Sequence, residues 1–356
     1  MIAKIDWSGD AEMPKSWLMY CLLALAFSSN AFADEPKKIG TLLAAGDISW
    51  CPGKGATLAR KTAELIRQIV KEATVPVRVL ALGDLAYGSG KKEQLKCFAE
   101  NWSGFEDLLL PIPGNHEYQS LNAAPFFAAF ANNNFVHQND QPSKKGTDKR
   151  WDKKGYFSLN FPNSNGPWRI IGMNDNLQNL HGSDMANENA WLEKQLDLAG
   201  PGNDQRCVLA FWHAPLYSSG QHGHVNYATP RANAVLENLT SMKRSFGILF
   251  SHGGSIVLAG HDHDYEQFAP QDENSQRKGN GIRSFVVGTG GATLTKDDYV
   301  NLAPNSEGGP FGHTKGVQGI LKIDLYEDRY TWDFMEIDKQ KNIPQMTNSA
   351  LCNDRK

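Results

Sequence analysis

"ALGDLAYGSG", residues 81–90, closes an apolar run with Asp84 and places Tyr87 three positions later. The run feeding it, "VRVLALGD" (77–84), has the unbroken apolar character of a strand buried on both faces. A carboxylate at the tip of such a strand is a natural metal ligand, although a lone Gly-Asp is equally an ordinary turn. Tyr87 is then either a wall residue that packs or a phenolate that selects a metal. The choice depends on what other strands deliver to the same place.

The same pattern recurs along the chain. "IGTLLAAGD" (39–47) predicts a buried strand ending in Asp47, followed by a helix over 56–73 with Leu58, Thr62, Leu65, Ile66, Ile69 and Val70 on one face. "LLLPIPGNHE" is a shorter apolar run leading to Asn115 and His116. "WRIIGMND", "CVLAFWHAP", "SIVLAGHDH" and "SFVVGTGG" are four further strand candidates, and a helix, "NENAWLEKQLDLA", precedes the second of them. "GILKIDLYEDRYTWDFMEI" alternates and turns near Glu327-Asp328, as a hairpin does. Strands interleaved with helices predict an α/β core, and the loops at the carboxyl ends of such strands are where sites are built. The "GTGGA" stretch at 288–292 reads as a place where backbones approach closely.

Composition is that of an ordinary globular chain: 356 residues, 40% hydrophobic, 21% charged, net charge −3. Mild acidity gives no general attraction to nucleic acid or anionic lipid. "MPKSWLMYCLLALAFSSNAFADE" carries a lysine, an apolar run from Trp17 to Phe27 and small residues before Asp34, the pattern of a secretory signal. The upstream Asp6, Asp10 and Glu12 suit such a signal poorly, so translation is expected to begin at Met13. The expected organisation is a signal peptide over 1–33 and a single catalytic domain over 34–356, exported to the periplasm or outside the cell, with no stable membrane insertion. Cys51, Cys97, Cys207 and Cys352 would remain, enough for two disulfides in any of three pairings. Cys207, inside an apolar run, also reads as a simple buried thiol.

Asp47, Asp84, Asn115, His213, His261 and His263 each follow an apolar run, and together they make a mixed oxygen and nitrogen donor set. That set suits Fe, Mn or Zn better than Ca or Mg, and it contains no thiolate. A carboxylate such as Asp84 can bridge two ions about 3.5–4 Å apart. Each element alone is weak; five of them in strand-end positions make a constellation. Asn174 and Asp175, at another strand tip, read as neighbours of the site. His252 and His313 have no evident partner in the sequence, and His137 and His181 fall in polar stretches expected to be exposed.

The ordered set "AAGDI", "GDLAY", "PGNHE", "WHAP" and "GHDHDYE" resembles the calcineurin-like metallophosphoesterase superfamily over roughly residues 39 to 340. Tyr87 within "GDLAY" and the "GNHE" form resemble the purple acid phosphatases and their secreted bacterial relatives. The resemblance implies an α/β, four-layer sandwich of two mixed β-sheets flanked by α-helices. It implies two metal ions, Fe(III) with a divalent Fe, Zn or Mn. Asp47, Tyr87 and His263 would hold the first, Asp84 would bridge, and Asn115, His213 and His261 would hold the second. His116 would face the leaving-group oxygen, with Asn115 also in reach of substrate. His222, nine residues after His213, matches a histidine that contacts phosphate, and His224 competes for that role.

The reading these features support is a metal-dependent phosphatase for small phosphate monoesters, with hydroxide attacking phosphorus and His116 protonating the departing oxygen. A phosphodiesterase or nucleotidase on the same scaffold is the nearer alternative. A non-catalytic binding protein retaining the fold is the other. No nucleic-acid partner is implied, and the sequence leaves oligomeric state open.

Overall fold

Leu42 and Ala44 point to one side of the first strand, Leu43 and Ala45 to the other, and all four are shut off from water. A strand apolar on both faces must lie between two layers, and that requirement organises the molecule. The computed structural model describes residues 36–51, 54–133, 154–176, 182–197, 207–220, 242–294, 302–307, 313–314, 317–338 and 348–353. Its folded body is Lys38–Lys356.

Strand β1 (Gly40–Ala45) pairs in parallel with β2 (Val77–Leu82), and β2 in parallel with β3 (Leu109–Ile112). On its other edge β1 pairs antiparallel with β11 (Gly319–Leu325), followed by β12 (Arg329–Glu336) and β13 (Asn348–Leu351). The second sheet has a parallel centre of β5 (Trp168–Gly172), β6 (Cys207–Phe211), β7 (Ile256–Ala259) and β9 (Arg283–Val287). Antiparallel β4 (Phe157–Phe161), β8 (Tyr265–Gln267) and β10 (His313–Thr314) complete it, in the order β10-β8-β9-β7-β6-β5-β4.

Between the sheets Leu42, Leu80, Leu82 and Ile112 meet Trp168, Ile170, Phe211 and Phe285 in one apolar core. Each fully buried side chain of this size stabilises the fold by about 1.5–3 kcal/mol. Helices α1 (Lys54–Glu72) and α2 (Lys92–Asn101) cover the outer face of the first sheet. Leu192 and Leu196 of α4 (Gly182–Asp197), which follows the short α3 (Ala124–Ala129), pack with the second sheet's residues, as do Phe246 and Leu249 of the helix at 242–251. The result is the four-layer α/β sandwich expected from the motifs.

All nine strand candidates, counting both arms of the C-terminal hairpin, and both expected helices are present. The buried face of α1 differs from the expected one. Ala59, Thr62, Ala63 and Ile66 are buried, while Leu58, Leu65, Ile69 and Val70 are only partly so. The cause is a close approach: a Cβ at Gly291 would lie 2.7 Å from the Ala59 nitrogen, so small residues must face the 288–292 loop. Thr62 donates from Oγ1 to the Gly290 carbonyl at 2.7 Å across that contact. The glycine stretch therefore brings backbones together, as expected.

Strands β4 and β8 and helix α2 have no clear periodic signal, and each is held in place by neighbours rather than by its own pattern. The reading of Cys207 as a simple buried thiol is incorrect: it forms a disulfide with Cys352, and Cys51 pairs with Cys97. Cys207 opens β6 and Cys352 follows β13, so this bond staples the two sheets together at the end opposite the motif loops. Among the described residues no helix is long and apolar enough to cross a membrane.

Closing a loop of 145 residues, the Cys207–Cys352 bond removes unfolded-state entropy worth on the order of 3–5 kcal/mol. A Cys207→Ser, Cys352→Ser protein is expected to melt at a clearly lower temperature while keeping its metal content. An unchanged thermal midpoint would show that the sheets do not need this staple.

Candidate metal centre

Because β1–β3 and β5–β7 are parallel within their sheets, their carboxyl ends gather at one edge of the sandwich. The backbones join there directly: the Asp47 amide donates to the Gly83 carbonyl at 3.1 Å and the Gly260 amide to that of His213 at 2.9 Å. Asp47, Asp84 and His261 all adopt left-handed backbone conformations, with φ of 59°, 48° and 71°. Non-glycine residues avoid this region at some cost. Here the turn is what swings each side chain off its strand and into the shared space.

The first cluster comprises Asp47, Tyr87 and His263. The Tyr87 hydroxyl donates to Asp47 Oδ1 at 2.6 Å, and His263 Nε2 lies 2.6 Å from the same phenolic oxygen and 3.4 Å from Asp47 Oδ1. His263 Nδ1 sits 2.6 Å from the Thr293 carbonyl, which can only accept, so Nδ1 carries a proton. Burial works against a charged His263, but the hydrogen bond and charge of Asp47 outweigh it and raise its pKa to about 9. Below that pH Nε2 is protonated too and donates to the Tyr87 oxygen. Burial, then the charges of Asp47 and Asp84, push the Tyr87 phenol well above its ordinary value.

The second cluster comprises Asp84, His213, His261 and Asn115. His213 Nε2 lies 3.4 Å from Asp84 Oδ2 and 3.0 Å from Asn115 Oδ1. One ligand atom each from Asp84, His213 and His261 falls within 4.8 Å of the others, and the two imidazole rings meet edge-on with centroids 5.0 Å apart. His213 Nδ1–H donates to the Leu82 carbonyl at 2.8 Å. Burial alone would raise the Asp84 pKa, but His213, then His116 and His261, hold it well below the usual carboxylate range. Burial would likewise lower His213, and Asp84, followed by Asp47 and Asp175, lifts it well above the ordinary imidazole value.

His116 stands at the border of both groups. Its Nδ1–H donates to the Gly88 carbonyl at 3.0 Å, its ring lies 4.5 Å from that of Tyr87, and its Nε2 is 3.8 Å from Asp84 Oδ2. Three imidazoles thus share one device. Each gives Nδ1–H to a backbone carbonyl and turns Nε2 towards a carboxylate, the arrangement that fixes a histidine as a metal ligand or proton donor. The donor set fits cations: the protons now lying between Tyr87, Asp47 and His263, and between His213 and Asp84, occupy positions where a metal ion would balance the same charges.

Supporting residues explain the rigidity. Glu117 is fully buried and bonds to neither ring nitrogen of His116. Instead Oε1 accepts the Ala86 amide at 3.1 Å and Oε2 the Gly114 amide at 2.8 Å, tying the "GDLAY" and "PGNHE" loops together. Burial, then Asp84, raises its pKa to about 8. A Cβ at Gly114 would sit 2.2 Å from Asp84 Oδ1, which is why that position is glycine. Asp175 accepts the amides of His213 at 3.3 Å and Ala214 at 2.7 Å, holding the "WHAP" loop. Asn174 donates to the Tyr118 hydroxyl at 2.7 Å. Both are scaffolding neighbours of the site, as expected.

His222 and His224, with His137 and His181, lie outside the described residues. His252 does have partners: Nδ1–H donates to the Ile248 carbonyl at 2.8 Å and Nε2 lies 3.4 Å from Asp197. His313 pairs with Glu266 through the backbone of β10 and β8. Two features of the site escaped the sequence. Thr293 contributes only a carbonyl, which leaves no trace in residue type. Trp50 stacks on Tyr87 with ring centroids 5.2 Å apart and an interplanar angle of 6°; its place between "GDIS" and Cys51 is the one sequence signal for it.

The sequence profile of the calcineurin-like phosphoesterases matches residues 40–265, and the chain belongs to that family. The C-terminal hairpin lies beyond the matched segment, although it completes the first sheet. No curated protein is matched in sequence at a significant level. Among solved structures, a purple acid phosphatase, PPD1, from yellow lupin (Lupinus luteus) seeds superposes with a TM-score of 0.61 at 16% identity, over 88% of this chain and 54% of that one. This chain thus spans about half the length of that relative. GAP50, the anchor in the inner membrane complex of Plasmodium, gives 0.57 at 16% identity over 90% of each chain. A dimetal phosphatase from Danio rerio gives 0.50 at 14% identity over 89% of this chain and all of that one. At these identities the likeness is one of fold.

Glu117→Gln leaves only one acceptor for two amides and turns an NH₂ towards a backbone N–H. The two loops should loosen, with metal affinity falling about 10- to 100-fold in a competitive chelator titration. Unaltered affinity would mean that Glu117 does not set the ligand geometry.

Proposed function

We propose that this chain is an exported, binuclear metal-dependent phosphatase acting on small phosphate monoesters. The observation that carries the proposal is the paired presentation of His213 and His263. Each is fixed by Nδ1–H to a carbonyl, and each faces a buried carboxylate, Asp84 and Asp47 respectively. Asp47, Tyr87 and His263 would hold one cation, Asn115, His213 and His261 the other, and Asp84 would serve both. When bound, such a pair of ions makes hydroxide available near neutral pH and withdraws charge from phosphoryl oxygens.

The chain's own residues handle the rest. His116 reaches the site with Nε2 while Gly88 holds its other nitrogen. A protonated Nε2 can give its proton to the ester oxygen as that oxygen leaves phosphorus. In the balanced step water loses one proton to solvent and bonds to phosphorus as hydroxide, the P–O ester bond breaks, and the alcohol departs with the proton from His116, which regains one from solvent. His222 and His224 are proposed to contact the phosphate, on the sequence resemblance alone. Export is supported by the two disulfides, which persist in oxidising compartments, together with the leader-like segment before Asp34. Amino-terminal sequencing of the mature protein tests it: a chain beginning upstream of residue 34 would refute cleavage there.

A non-catalytic role is the second reading, favoured by the resemblance to GAP50, described as an anchor. Against it, every donor position in the motif set is filled here. Elemental analysis separates the two, since a purified protein without metal and without hydrolysis would support the anchor.

His116→Ala should lose about 10²- to 10⁴-fold in kcat towards an alkyl phosphate, whose leaving oxygen needs a proton, and much less towards 4-nitrophenyl phosphate. An equal loss for both esters would remove His116 from the acid role. A bis-aryl diester tested beside these monoesters decides the ester class, and faster hydrolysis of the diester would make the protein a phosphodiesterase.

The first cation is proposed to be Fe(III), because a phenolate is a hard anionic donor. The oxidised protein is then expected to be purple, and Tyr87→Phe to bleach it. A colourless protein containing only Mn or Zn would overturn the iron assignment.

A further inference from the structure

We infer that Trp50 is a specificity-determining residue, a rigid aromatic platform that receives a planar ring in the ester group of the substrate. The inference rests on the phosphatase reading above and goes beyond it to substrate class. Among the described residues four large apolar side chains are exposed: Trp50 at 49%, Leu121, Leu302 and Leu351. Trp50 alone of these is aromatic, and it alone stacks on a residue of the donor clusters. It lies parallel to Tyr87, whose hydroxyl bonds to Asp47 and whose ring also touches His116. The indole and the proposed proton donor to the leaving group therefore share one neighbour. Tyr87 itself is only 2% exposed, so of these two stacked rings only Trp50 offers accessible surface.

Trp50 is also unusually well held. On one side Ser49 is buried, its amide donates to the Leu85 carbonyl at 3.2 Å, and its carbonyl accepts the Tyr87 amide at 2.8 Å. On the other side Cys51 is bonded to Cys97 of α2. A half-exposed tryptophan fixed on both flanks has surrendered its conformational freedom before any ligand arrives. That lowers the entropy lost when a ring stacks on it. A flat ring on an indole face is favourable whatever its hydrogen-bonding edges, so the platform selects planarity rather than a particular base. Aryl phosphates and nucleoside monophosphates share that chemistry, while glycerol or sugar phosphates lack it.

The test uses the metal-loaded protein and two readouts. Calorimetry compares binding of phenylphosphonate and methylphosphonate, and kinetics compare phenyl phosphate with glycerol phosphate and AMP with ribose 5-phosphate. The wild type should favour the ring-bearing member, through KM more than kcat. Trp50→Ala should reduce that preference by roughly 5- to 100-fold, with metal content retained. Trp50→Phe should restore most of it. A preference confined to the phenyl pair assigns aryl esters, and one confined to the nucleotide pair assigns nucleotides.

Equal loss for ring-bearing and ringless ligands in Trp50→Ala would overturn the inference, as would equal affinities in the wild type. The wild-type comparison stands even if the alanine variant fails to fold. Hydrolysis without ring preference would remove the platform and leave the phosphatase. Ring-selective phosphonate binding without turnover would do the reverse.

Discussion

Asp84 is a carboxylate with 2% exposure, set at the meeting point of two sheets and facing three imidazoles. An ionised carboxylate cannot remain in such a place without compensation, because burial penalises its charge by several kcal/mol. Everything around it answers that constraint. The His116 amide donates to Oδ1 at 2.8 Å, His213 approaches Oδ2, and Gly114 removes the side chain that would otherwise collide with it. Asp47 is held in the same manner, with the His261 amide donating to its Oδ2 at 2.7 Å. The two carboxylates are thus fixed by the backbone of the very loops that carry the histidines, and the ligand clusters cannot be moved separately.

The site crowds acidic groups and imidazoles into one buried space. Asp47, Asp84 and Glu117, with the phenol of Tyr87, lie within one buried region. Its titration reflects the crowding: Glu117 and Tyr87 are pushed up, His213 and His263 are pulled up, and Asp84 is driven down. A site that holds acids and bases in this tension binds cations readily and releases protons as it does so.

Rigidity comes from two directions. At the far end of the sandwich the Cys207–Cys352 bond joins the second sheet to the strand that closes the first. At the near end the Cys51–Cys97 bond ties the loop after β1 to α2, close in sequence to Asp47 and the exposed Trp50. Left-handed residues at Asp47, Asp84 and His261 would relax in a looser frame. They persist because the strands before them are buried on both faces and the loops after them are bonded across the sheets.

Much of this was legible in the residues alone. Apolar runs ending in polar tips marked the strands along the chain, and Asp47, Asp84, Asn115, His213, His261 and His263 at those tips pointed to a mixed-donor metal site, to which the family resemblance added Tyr87 and His116. Those signals are local, because a buried strand and a strand-end ligand are both written in a few adjacent residues. What the sequence left open was decided by contacts between distant segments. It could not choose among three cysteine pairings, since pairing depends on which loops meet. It left the role of Glu117 open, because a carboxylate reaching two amides on separate loops has no sequence signature. It hid Thr293, which acts through a carbonyl that every residue possesses, and it passed over Trp50, whose importance lies in the ring it stacks on. Residue type determined the chemistry available to this protein; the packing of two sheets decided which groups would share it.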